Sequence, residues 1–220
     1  RSAIGLGGRL AHGVFQYLGT LYGPLLDHFS TTLSSAFATF FETLVTELLM
    51  LRVDSNERIP LMAGLLEDRL NTIERQASYH SFERQLHDLV VANPEVNVNK
   101  ICSVWKRTQE NCVGPSIDVD PRVGVMWSYI PHFVHSPIVT STYAFGGILA
   151  SVMYANYLED RTTESSGFVD KIIRAMKAGG TVDFHGALQI LEIDPNDPTT
   201  WQRGVDVTSA IVDNLVDTSL

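Results

Sequence analysis

His12 ends a five-residue run, Gly8-Arg9-Leu10-Ala11-His12, whose spacing puts positions 8 and 12 one turn apart on a helix face. Two imidazoles at that spacing, with a carboxylate beside the first, hold a zinc ion and activate a water on it. Here the partner position is Gly8, which has no donor, and the base position is Arg9. A guanidinium accepts no proton near neutral pH, and its fixed charge repels a divalent cation. The run thus has the spacing of a hydrolytic zinc helix and only one of its ligands. A lone histidine on an apolar helix is expected as a hydrogen-bonded core group. Arg9 is expected either in solvent or paired with a carboxylate such as Glu42.

The other titratable pairs are weaker. His132 and His135 stand three apart and His80 and His87 seven apart, spacings that can share one helix side. The first pair lies beside prolines, and the second has no cysteine or carboxylate cluster near it. No metal site and no cofactor are expected. Cys102 and Cys112 are too few for a disulfide framework and are expected as buried thiols, with a single bridge between them as the alternative. Neither a G-x-S-x-G run nor a cysteine-based constellation supports nucleophilic catalysis.

Those residues sit in a chain of 220 with 45% hydrophobic and 19% charged residues, enough to build a sizeable core. A net charge of −9 with no basic stretch argues against direct nucleic-acid binding. No segment is expected to span a bilayer, which takes about 20 apolar residues. The nearest, residues 144–158, is short and rich in small side chains. No secretory signal is visible, and a start at Arg1 reads as a trimmed N-terminus.

Periodicity predicts helices throughout. A first helix over about residues 4–22 carries Leu6, Leu10, His12, Val14, Tyr17, Leu18 and Leu21 as its apolar stripe and stops at Gly23-Pro24. A second starts at Ser30 or Thr31 and runs through Phe37, Phe40, Leu44 and Leu51. After a turn at residues 54–56, one long helix is expected over 57–91, with Leu61, Leu65, Leu66, Leu70, Ile73, Ala77, Phe82 and Leu86 inward. Another spans 97–112, with Ile101, Val104 and Trp105 inward. Four prolines make residues 113–136 and their border the least regular stretch, with 123–127 as a short strand or extended segment. Helices follow over 137–158, 164–177, 183–191 and from Asp197-Pro198 toward Val216, the first with a small face of Gly146, Gly147, Ala150 and Ser151. No internal repeat or low-complexity segment is seen.

Leu10-Ala11-His12-Gly13-Val14 with Gln16 resembles the L-G-H-G-V-x-Q run of the oligoendopeptidase F family of zinc metallopeptidases. Residues 36–42, 71–76, 82–84, 114–115, 127–137, 143–146, 178–181 and 197–204 resemble that family in the same order, Ile130-Pro131-His132-Phe133 and Ala178-Gly179-Gly180-Thr181 most specifically. The resemblance covers nearly the whole chain and corresponds to the last third of a family member. It implies an all-α multi-helix bundle of about eight helices with one irregular proline-rich segment, residues 1–220 forming a single degenerate peptidase-like domain.

The resemblance also implies where a family active site would lie. Registering Phe40-Phe41-Glu42 on the family's F-G-E places its third zinc ligand at Ser35, a hydroxyl that stays protonated near neutral pH. The family's F-Y-V-Y-x-Y-A run reads 138–144 here, so two tyrosines have become Val139 and Ser141 while Tyr143 remains. His132 of the I-P-H-F loop also remains. Gly8, Arg9, His12, Ser35, His132, Val139, Ser141 and Tyr143 are thus vestigial positions, with no catalytic and no metal residue expected among them. The reading is a catalytically inactive homologue kept as a structural or interaction subunit, its partners being other protein subunits of a larger assembly. A mitochondrial home, in a respiratory complex, ATP synthase or mitoribosome, follows if the host is a eukaryote; a bacterial cytoplasm is the alternative. Two other readings remain open: a peptide-binding module that does not cut, and the C-terminal part of a split zinc oligopeptidase.

Overall fold

Ser30 opens the helix on which much of the fold is built. Its side chain accepts from the Leu33 N–H at 3.4 Å, as an N-cap should. In the computed structural model, which describes residues 2–23, 26, 30–162 and 167–219, ten α-helices follow one another and no strand occurs among those residues. They are α1 (Ser2–Gly19), α2 (Thr31–Met50), α3 (Ser55–Thr72), α4 (Glu74–Ala92), α5 (Val98–Val113), α6 (His132–His135), α7 (Thr140–Thr162), α8 (Gly167–Ala178), α9 (Phe184–Leu191) and α10 (Pro198–Ser219). The all-α multi-helix expectation holds, with ten helices where about eight were expected.

Packing divides the chain into two compact units: residues 1–69 with 145–220, and residues 70–144. The first has its core on α2, α7, α8 and α9, where Leu33, Phe37, Phe40, Leu149, Met153, Met176, Leu188 and Leu191 are buried together. Buried positions on α2 recur three or four residues apart, at Leu33, Ala36, Phe37, Phe40, Thr43 and Thr46. The small face expected on α7 is buried at Gly146, Gly147, Ala150 and Ser151. In the second unit Tyr79 and Phe82 of α4 meet Val104 and Trp105 of α5, with Trp127 and Phe133 against them. Phe82 and Trp105 are edge-to-face at 5.0 Å, a preferred aromatic geometry.

Several expectations are corrected. The helix expected over 57–91 is two helices, broken at Ile73, a residue between α3 and α4 with ψ of −69°. No glycine or proline marks that break. Within it Leu70 and Ala77 are exposed, while Arg69, Ser78 and Glu83 are buried. Residues 123–127 are not extended; they lie in a 3-10 helix, Pro121–Tyr129, capped by Asp120, whose carboxylate accepts from the Arg122 N–H at 2.8 Å. The stripe expected on α1 is split: Leu6, Leu10 and Tyr17 are 64%, 57% and 76% exposed and His12 is exposed too, while Val14 and Leu18 are half-buried against the core, where Gly7, Gly8, Ala11 and Phe15 are buried. Helix α2 is also long and apolar enough, by length and composition alone, to cross a membrane. That is weak evidence, because its Leu33, Ala36, Phe37 and Phe40 belong to the core. Pro24, and the expected start at Glu164 of the helix over 164–177, lie outside the described residues.

Candidate functional site

Helix α1 can lie close on α2 because glycines face it. A Cβ on Gly7 would stand 2.8 Å from Val45 Cγ2, and one on Gly8 would stand 2.5 Å from Glu42 Oε1. The place where a first zinc imidazole would begin is therefore filled by the Glu42 carboxyl. That carboxyl is pushed above its ordinary value by burial, and further by the Asp68 carboxylate.

One turn on, His12 is exposed rather than in the core. Its Nδ1 shares a hydrogen bond with Ser34 Oγ at 3.2 Å. Arg9 is also exposed, and no ion pair joins it to Glu42 among the described residues. Ser35, the expected relic of the third ligand, is covered by α7: a Cβ on Gly146 would lie 2.8 Å from both Ser35 Cβ and Oγ. The first unit thus brings Gly8, Arg9, His12 and Ser35 onto one pair of helices. They offer a glycine, a cation, one imidazole and an alcohol, with the Glu42 carboxyl beside Gly8 as a single further donor. That donor set does not fit a zinc ion, which takes three or four nitrogen, sulfur or carboxylate ligands. Among the described residues no three His, Cys, Asp or Glu side chains converge to hold a metal.

The remaining positions belong to the second unit. His132, at the start of α6, sets its ring edge-to-face with Tyr143 at 5.8 Å. Val139 and Ser141 lie between these two along the chain, and Ser141 Oγ donates to Ile138 O at 2.8 Å. Ile138 has φ of +66°, a left-handed conformation that a β-branched residue rarely takes. Its N–H donates to Glu83 Oε1 at 2.7 Å, and Glu83 is 2% exposed. Sequence reasoning did not single out Glu83. Phe82-Glu83-Arg84 offered only a family likeness, and a buried carboxylate leaves no periodic mark. Of the other histidines, His87 and His135 are exposed, and His80 has a buried Nδ1 with no hydrogen-bond partner. Both cysteines are free and half-buried, so the single bridge is not formed; Cys112 Sγ lies 3.7 Å from Glu74 O.

A further polar group was not legible in the sequence. Arg69 on α3 is 4% exposed, and burial lowers its guanidinium to about 10, still charged at neutral pH. Tyr154 beside it is raised to about 12 by burial and by Glu47. Arg69 stands four residues after Leu65 and three after Leu66, a spacing that shares their face, but an arginine there reads from residue type as a solvated side chain.

No family model matches the chain. In sequence it is 25% identical over 172 residues to the oligopeptidase PepF of Bacillus subtilis, covering 77% of this chain and 25% of that protein. It is 21% identical over 209 residues to the oligoendopeptidase F homolog of Borreliella burgdorferi, covering 94% of this chain and 35% of the relative. The crystal structure of oligoendopeptidase F from Enterococcus faecium superposes with a TM-score of 0.80 at 18% identity, over 98% of this chain and 38% of the other. A Chlamydophila abortus crystal structure gives 0.83 at 20% identity, over 96% and 35%. The chain therefore spans about a quarter to a third of the curated relatives it matches.

Proposed function

Because the chain is related to the C-terminal lobe of the oligoendopeptidase F family, we propose that it is a domain of that lineage which does not hydrolyse peptides and serves as a structural or interaction subunit. One observation carries the reading: Gly8 has no donor where the first zinc imidazole would begin, and its face lies against the Glu42 carboxyl, whose Oε1 is 2.5 Å from the point a Cβ would take. Arg9 in the base position and Ser35 beneath α7 support it. With no ligand set, there is no activated water and no Lewis acid for the scissile carbonyl.

A helix that turns leucines outward supports the partner half of the proposal. Leu6, Leu10 and Tyr17 lie along one face of α1 and are exposed, a pattern that marks an association surface. Other protein subunits are the proposed partners. The bacterial origin of the named relatives supports a bacterial setting, with the bacterial cytoplasm as the compartment. A mitochondrial assembly rests on the sequence resemblance alone.

A second reading draws on length. The chain matches only part of each relative, which is compatible with the C-terminal part of a split zinc oligopeptidase whose remainder is another chain. The His132–Tyr143 ring pair supports a third, a surface that holds peptide without cutting it. Metal analysis after zinc loading, with turnover of a quenched peptide, separates these. The proposal expects substoichiometric zinc and no turnover. Stoichiometric zinc that is lost in His12→Ala, or cleavage by the pure chain, overturns it. Saturable peptide binding without cleavage selects the third reading.

A further inference from the structure

A cavity of about 560 Å³ opens among α2, α3, α7 and α10 in the first unit. Met50, Met62, Leu65, Leu158, Val207 and Ile211 give it apolar walls. Its floor holds the buried Arg69. A buried cation is costly unless an anion or a full set of acceptors meets it. Here the partners are neutral. Nη1 donates to Ser151 Oγ at 2.5 Å and Nη2 to Thr43 Oγ1 at 3.4 Å, while Nε has no partner.

The hydroxyls around the guanidinium spend their own protons on helix carbonyls. Ser151 donates to Gly147 O, Thr43 to Thr39 O and Thr46 to Glu42 O. What remains at the floor is a donor, so a ligand must bring an acceptor. The acids on the wall are already engaged: Glu47 pairs with Arg161 and accepts from Tyr154, and Asp206 accepts from Gln202. Arg203 is paired with Glu159. One positive charge is left unmatched, and it is the buried one.

We infer that this cavity binds a monocarboxylate with an aliphatic tail, the carboxylate on Arg69 and the tail along the methionine and leucine wall. A planar guanidinium suits a carboxylate, and a single cation balances a monoanion rather than a phosphate dianion. Two methionines let the wall adapt to a flexible chain. The walls are helical, with backbone groups already bonded, so the amides of a peptide would find few partners there. An alkyl chain makes no such demand. The volume is of the size usual for small-molecule sites. The vestigial zinc positions play no part, so this inference stands apart from the proposed function.

The test is calorimetric titration of the full chain with decanoate at neutral pH, with decanol, decyltrimethylammonium and an uncharged-side-chain apolar tripeptide as comparisons. Saturable one-to-one decanoate binding is expected, tighter than decanol by about tenfold or more, the scale of one charge-assisted pair. Arg69→Met should lose that margin. Because removal of Arg69 can disturb folding, Ala210→Trp at the exposed mouth provides a second variant: it should weaken decanoate while helical circular dichroism and melting stay unchanged. No saturable binding, equal binding of decanol, binding unmoved by both variants, or tripeptide binding in place of decanoate overturns the inference.

Discussion

Glu42 Oε1 lies 2.5 Å from the point that a Cβ on Gly8 would occupy, so the helix pair is closed by the absence of a side chain. The same relation recurs at Gly146, where the clash would be with Ser35 Cβ and with Thr32 O at 3.0 Å. The two differ in what must move. Glu42 can swing the end of a flexible side chain; the Ser35 Cβ and the Thr32 carbonyl belong to the body of α2.

Three alanine substitutions should therefore rank. Gly146→Ala should destabilise by about 1–3 kcal/mol, the scale of overpacking a filled core, and Gly8→Ala by less. Gly13→Ala, with nothing within 4 Å of its Cβ, should stabilise by about 0.5–1 kcal/mol through helix propensity. Urea melts of the three read the order directly, and an equal loss at Gly8 and Gly146 contradicts it.

Stability should depend on pH through Glu42. Its folded value is raised above the ordinary 4.5 by burial and by Asp68, so the folded chain holds this proton more tightly than the unfolded one. The penalty for ionising it is absent below 4.5 and grows as pH rises through the folded value. Glu42→Gln should then be more stable than the parent at neutral pH, with the advantage fading as pH falls toward 4.5. Melting both proteins across that range is the measurement; a gap independent of pH would show that another effect dominates.

Ile138 offers a test of backbone strain. Ile138→Ala and Ile138→Gly both remove the side chain, but only alanine keeps a Cβ at φ of +66°. Glycine should be the more stable of the two by about 1 kcal/mol, the penalty of the left-handed region for an L-residue. Near a helix interior the preference would run the other way. Chemical denaturation of the pair decides it.

His12→Ala should be mild. The ring is exposed and keeps one hydrogen bond, to Ser34, so the expected cost is below about 1 kcal/mol. A loss of several kcal/mol, or a change in metal content after zinc loading, would assign His12 more than a surface contact.

Two caps were legible in the sequence, the Ser30 or Thr31 start and Asp197-Pro198, and the starts expected at 97 and 183 fell on residues that the structure shows to be caps. Ser30, Asn97 and Asp183 each accept from a backbone N–H of the turn they open, and Asp197 does so for α10. The face of α1 was not legible, because hydropathy counts Leu6 and Leu10 as inward while glycine carries no signal at all. A close helix crossing inverts that rule: the smallest residues go inside and the leucines are left out. The break at Ile73 was missed because it uses ordinary residues. Of the candidate site, the residue types at Gly8, Arg9 and Ser35 were readable from the sequence. What lies against them was not: Glu42 and Gly146 come together only through packing.

The outward leucines of α1 also govern how the purified chain behaves in solution. A net charge of −9 holds copies apart in dilute buffer. At physiological ionic strength that repulsion reaches only about 8 Å, and the greasy faces are free to meet. Preparations should stay clear in low salt and turn cloudy as salt and concentration rise together.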